Sequence, residues 1–183
     1  MKVSQFICMC GNLGNLELPQ RYQNDNGREA LQDERVQKLL LCCNCILEET
    51  YCTNATDVQK ATVVATDGRI DLSQLHLCRV LRLTDVGGQN VNYRFSVNSL
   101  FVDKNGTCVL TYAKLPETLS WDSEIPLPSQ ITYLTFAYGV LSAYFLTIGD
   151  AETYRQWAVR YGDAMRNARA KSSSMSMPAG RWL

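Results

Sequence analysis

The sequence predicts an α+β fold: a helical bundle with an inserted antiparallel β meander or small barrel and an extended C-terminal arm. Three observations predict it. Apolar residues recur at a spacing of about 3.6 through residues 28–49 and again after Ser129. Between these stretches, over residues 58–115, β-branched residues and closely spaced turn signals replace that period. From Ala170 the chain leaves the helical pattern through a serine run and ends on Met177, Pro178, Arg181, Trp182 and Leu183. The zones are residues 1–57 (helical), 58–115 (β insertion), 116–169 (helical hairpin) and 170–183 (arm), read as one structural domain with an insertion.

In the first zone a short helix is expected from Val3 to Cys10, ended by Gly11 and Gly14. Residues 19–27 hold Pro19, Asn24, Asp25, Asn26 and Gly27 and read as a loop. The main helix, residues 28–49, sets Leu31, Val36, Leu39, Leu40, Cys43, Ile46 and Leu47 on its inner side. Glu29, Asp33 and Glu34 near its start suit the positive end of the helix dipole.

The β zone opens with Ala61-Thr-Val-Val-Ala65, followed by the turn pair Asp67-Gly68. Short strands are expected at residues 69–72 and 80–83. Val91-Asn-Tyr-Arg-Phe-Ser-Val97 alternates apolar and polar side chains, which predicts a half-buried strand. Asp103-Lys-Asn-Gly106 is a further turn, and residues 108–113 make a last strand, for four to six strands in all. His76 falls between strands with no nucleophile or acid at a useful spacing and reads as a structural side chain.

The third zone begins with a connector, residues 116–128, stiffened by Pro126 and Pro128. Ser129 is placed to cap a helix carrying Ile131, Leu134, Tyr138, Leu141, Phe145 and Ile148 on one face. Gly149 ends it and Asp150 caps the next helix at once, so the two form a tight hairpin. The second helix carries Ala151, Tyr154, Ala158, Tyr161, Met165 and Ala168 in a narrow seam, widened by Trp157.

Composition excludes several classes. Eighteen basic residues balance eighteen acidic ones, which argues against a duplex-wrapping basic protein. The apolar stretch 134–148 is too short to cross a bilayer. The N-terminus lacks the apolar run of a secretory signal, so the chain is expected to stay in the cytoplasm where it is made. The eight cysteines (8, 10, 42, 43, 45, 52, 78 and 108) then read as reduced, mostly buried thiols. A metal site at Cys8, Cys10 and Cys42–Cys45 would need knuckles on turns, whereas Cys42 and Cys45 fall within a helix. No phosphate-binding, metalloprotease or nucleophile-elbow motif occurs, and the C-x2-C spacing of Cys42 and Cys45 falls within a helix and is not read as a redox pair, so no cofactor and no catalytic residue is assigned, and an enzyme is not expected.

Charge is uneven along the chain. Residues 155–183 hold six basic residues and one acid, Asp163, although the whole is neutral. Flexible termini normally end polar, so Trp182 beside Arg181 suggests an anchor for a partner surface.

Pro126-Leu-Pro128, Gly139 within a helix, Gly149-Asp150-Ala151 between helices, Trp157 with Tyr161, and the Met177-Pro-Ala-Gly-Arg-Trp182 ending follow one another in an order that resembles the head-to-tail adaptor (connector) proteins of tailed bacteriophages, the short-tailed type especially. The resemblance is clearest over residues 126–183. It implies a structural virion protein at the head-tail junction, assembled in the host cytoplasm as a ring of about a dozen copies. It further implies that the C-terminal arm (Met177, Pro178, Arg181, Trp182, Leu183) docks into the portal protein. Neighbouring copies and tail proteins (nozzle or tube) would meet the β part, and DNA would pass through the ring without sequence-specific binding. Two readings from other classes stand beside it: a small cytoplasmic metal-binding or redox module using the Cys42–Cys52 cluster, and a peptide- or protein-binding domain.

Overall fold

The computed structural model describes residues 1–24, 27–54 and 57–173, in the order helix, helix, six strands, helix, helix. The chain divides into two compact units, one formed by Met1–Leu47 with the chain from Thr118 onward, the other by Glu48–Glu117. The first is helical and discontinuous in sequence. The second holds all six strands, so the fold class is α+β.

In the helical unit, α1 (Val3–Leu13) buries Val3, Phe6, Ile7 and Cys10 along one face. It runs a turn past the expected end at Cys10, because Gly11 is itself buried in the helix and the chain turns off at Gly14. The first amides of a helix have no partner within it. Here the connector supplies them: Val3 N–H donates to the Ser123 carbonyl (2.9 Å) and Ser4 N–H to that of Trp121 (3.2 Å). The connector is therefore part of the core, with Leu119, Trp121 and Ile125 buried. Asn44 holds it in place, its Oδ1 accepting from Leu119 N–H at 2.7 Å.

Residues 19–27 are less irregular than their composition suggests, since Gln20–Asn24 forms a 3-10 turn. Helix α2 (Glu34–Asn54) starts later than the periodicity predicts and runs further, and the boundary between the units falls within it. Leu31 lies before it in a second 3-10 turn, Ala30–Gln32, and is exposed. Asp33 sets the start: its Oδ1 accepts from Arg35 N–H at 2.9 Å. Val36, Leu39, Cys43, Ile46 and Leu47 are buried as expected, while Leu40 is only half-buried.

Helix α3 (Tyr133–Thr147) is capped by Thr132, not Ser129, with Thr132 Oγ1 accepting from Thr135 N–H at 3.1 Å. Its burial is nearly all-round: Phe136, Ala137, Gly139, Val140, Leu141, Tyr144 and Phe145 are all inside. Leu134 and Ile148, expected on the inner face, are exposed. A helix packed on several sides has no single apolar stripe to read. Phe6 of α1 meets Phe136 at 5.0 Å between ring centroids, and Ile46 of α2 crosses at Gly139.

Gly149, at φ +81°, turns the chain, and Asp150 caps α4 (Ala151–Ser173) by accepting from Thr153 N–H at 3.1 Å. The hairpin is as tight as the Gly-Asp pair predicts. Trp157, Met165 and Ala168 are buried and Tyr154, Ala158 and Tyr161 half-buried, but Ala151 is exposed. Tyr138 and Trp157 pack with ring centroids 5.7 Å apart.

The β unit consists of two antiparallel three-stranded sheets and is not a closed barrel. The first is ordered β1 (Val58–Ala65), β6 (Gly106–Lys114), β3 (Leu77–Asp85). The second is ordered β2 (Arg69–Asp71), β5 (Ser99–Val102), β4 (Tyr93–Ser96). They share one core of Ala65, Ile70, Leu72, Leu83, Leu100, Val102, Cys108, Leu110 and Tyr112. Asp67 and Gly68 form the two-residue turn from β1 to β2, with φ +50° and +71°, the mirror-image turn that suits twisted strands. The alternating run 91–97 is the main departure. Only its middle is a strand, β4, which lies at a sheet edge and is exposed throughout. Burial falls instead on β5, the central strand, which no sequence signal marked.

Candidate functional site

The five residues on which the sequence places function, Met177, Pro178, Arg181, Trp182 and Leu183, lie outside the described residues. What is described is the helix that leads to them. Arg155, Arg160, Arg166 and Arg169 of α4 are all exposed, and Asp163 is the one acid beyond the first turn up to Ala170. Two of the four arginines are held locally. The Arg160 guanidinium lies 4.8 Å from the Trp157 ring centroid, a cation–π contact, and Arg166 pairs with Asp163. The helix continues through Ser173, so residues 170–173 are helical and not the start of a flexible run. Serine is only a modest helix breaker, and a helix already formed extends through it at small cost.

The cysteines separate into two groups. Cys8 and Cys10 of α1 and Cys42 and Cys43 of α2 are buried in the helical unit. Burial raises all four thiols above the ordinary range, Cys42 to about 11, and their mutual proximity adds to the rise at Cys10 and Cys43. They are protonated at neutral pH and behave as small apolar side chains. Cys45 is exposed on α2. Cys52 lies in the other unit beside Cys78, to which it is hydrogen-bonded. Among the described residues no three His, Cys, Asp or Glu side chains are grouped to hold a metal ion. His76 is exposed between β2 and β3.

The β unit carries two concave surfaces that the sequence did not reveal. A cleft of about 570 Å³ is lined by Asp67, Asn92, Tyr93, Arg94, Phe101 and Asp103. Strand register places two of these side by side, since Arg94 pairs with the exposed Phe101, which also pairs with Arg69 on its other neighbouring strand. The turns at Asp67-Gly68 and Asp103–Gly106, both legible in the sequence, form its rim. A smaller cleft of about 230 Å³ is lined by Cys78, Arg79, Val80, Tyr93 and Phe95. Tyr93 and Phe95 were expected to be half-buried; on an edge strand they are available for contact instead.

No protein-family model matches this sequence, and no curated protein matches it.

Proposed function

We propose that this chain is a structural, non-enzymatic virion protein: a head-to-tail adaptor that assembles as a ring between the portal and the tail of a tailed bacteriophage. The observation that carries the reading is α4. It is a long helix with four exposed arginines, and it is followed in the sequence by Arg181-Trp182, a basic aromatic pair suited to a pocket with acidic groups around it. The helical hairpin and the β unit set between two stretches of helical sequence support the same reading. In a ring, each arm contact is repeated around the symmetry axis, so a modest anchor per copy makes a strong attachment. The β unit, with its exposed Tyr93, Phe95 and Phe101, is then the surface for neighbouring copies or tail proteins, while DNA passes through the ring without sequence-specific contacts. Among the described residues no helix is long and apolar enough to cross a membrane.

The test compares the full chain with a variant lacking Met177–Leu183. The variant should melt at the same temperature and lose co-sedimentation with the portal protein of the same phage. Electron micrographs of the full chain with portal should show rings. Retained co-sedimentation would move the docking surface to the β unit, and an unfolded variant would make the arm a structural strap.

A further inference from the structure

Two thiols outside the buried helical set lie together. Cys52, near the end of α2, and Cys78, on β3, are hydrogen-bonded to each other and both half-buried. Strand register accounts for the position of Cys78. Leu77 pairs with Lys114 and Arg79 with the adjacent Ala113, leaving Cys78 as the extra residue of a bulge with no partner on β6. Bulges re-aim side chains in this way. Cys78 is also among the residues that line the 230 Å³ cleft.

We propose that Cys52 and Cys78 are a redox pair that closes to a disulfide within the β unit. The oxidant is a low-molecular-weight disulfide of the glutathione type. One protein thiol, as thiolate, attacks a sulfur of the small disulfide, forming a mixed disulfide and expelling one small thiolate. The second protein thiol, as thiolate, then displaces the other small thiolate. Two protein S–H bonds are lost and one S–S bond forms, the oxidant's S–S bond is broken, and the two protons end on the two released small thiols. Two electrons pass from protein to oxidant.

Desolvation, with the neighbouring Cys52, pushes the Cys78 thiol up to about 12, while Arg79 acts weakly the other way. A thiol held protonated exchanges slowly, which suits a single closure and not turnover. The bond would tie the end of α2 to the β3 bulge and remove freedom from the unfolded chain. On the adaptor reading, the pair stays reduced during assembly in the cytoplasm and oxidises after the particle is released. That timing rests on the adaptor reading; the chemistry does not, and it is tested on the isolated chain.

Full-length reduced protein carrying Cys45→Ser, which removes the one exposed thiol, is incubated with oxidised glutathione, quenched with N-ethylmaleimide and mapped by non-reducing peptide mass spectrometry. The expected result is one peptide pair joined through Cys52 and Cys78, with a melting temperature that rises and returns on adding dithiothreitol. Cys52→Ser and Cys78→Ser should each abolish that rise. Separate alkylation of Cys52 and Cys78 after oxidation overturns the proposal, as does recovery of either joined to another cysteine. The map alone decides the question if a serine variant fails to fold.

Discussion

Gly139 of α3 and Tyr161 of α4 meet so closely that a Cβ placed on Gly139 would lie 2.9 Å from the tyrosine Cε2. The same Cβ would lie 2.9 Å from Ile46 Cγ2, so α2, α3 and α4 all close on this one position. A hydrogen atom for a side chain is what permits that approach. The glycine also lies within the stretch that carries the resemblance to adaptor proteins, and its role there is steric.

Gly139→Ala should therefore overpack the helical unit. Because both neighbours belong to packed helices, the cost should be about 1–3 kcal/mol despite alanine's better helix propensity. Urea unfolding followed by far-ultraviolet circular dichroism checks it. A variant as stable as the parent would mean that the helices separate at little cost.

Asp33 predicts an acid dependence. Its carboxylate bonds the Arg35 side chain, with Oδ2 accepting from Nη2 at 2.6 Å, and it accepts from the Arg35 backbone amide. These bonds, the side-chain one foremost, hold its pKa below the ordinary carboxylate range, against a smaller opposing effect of burial. A depressed folded-state pKa means that the stabilisation is present above the unfolded value of about 4 and is lost as pH falls through the lower folded value. Asp33→Ala should lose about 0.5–2 kcal/mol at neutral pH, the usual range for removing a helix cap, and should flatten the stability profile below pH 4. Chemical denaturation at stepped pH values reads both effects.

The β unit offers a paired comparison. Leu100 is 0% exposed at the centre of the β2-β5-β4 sheet, whereas Phe95, paired with it on the edge strand, is 58% exposed. Leu100→Ala should cost about 2–5 kcal/mol. Phe95→Ser should change stability by no more than about 0.5 kcal/mol. Thermal unfolding of the two variants side by side tests the exposure of β4, because a half-buried strand would make both costly.

Arg181 and Trp182 should fail differently if the arm is the anchor. Trp182→Ala should remove most portal binding at any ionic strength, since the loss is apolar area in a pocket. Arg181→Ala should weaken binding most at low salt, where the parent's advantage from its charge is largest. Co-sedimentation over a salt series separates the two patterns, and identical curves would argue against a charged contact at Arg181.

Local chemistry in the sequence was enough to place the hairpin, the turns and the class. Gly149 followed by Asp150 dictates a stop and a new cap within two residues, whatever lies around them, and Asp67-Gly68 can adopt its left-handed turn without help from the rest of the chain. The period of Val36, Leu39, Cys43 and Ile46 belongs to one helix face and is read in the same way. What tertiary structure alone decided is which apolar residues go inside. Val91, Tyr93, Phe95 and Val97 carry a strand's alternation, yet the strand covers only Tyr93–Ser96, and Tyr93, Phe95 and Val97 are in solvent. Ser99-Leu-Phe-Val102 carries no clear signal and becomes the central strand. Cys52 and Cys78 are distant in sequence, and only the fold brings them together, with Cys78 at the register shift of β3. The physical reason is common to all three. Periodicity and turn chemistry are properties of a short segment, whereas burial and strand pairing depend on what the rest of the chain places alongside it.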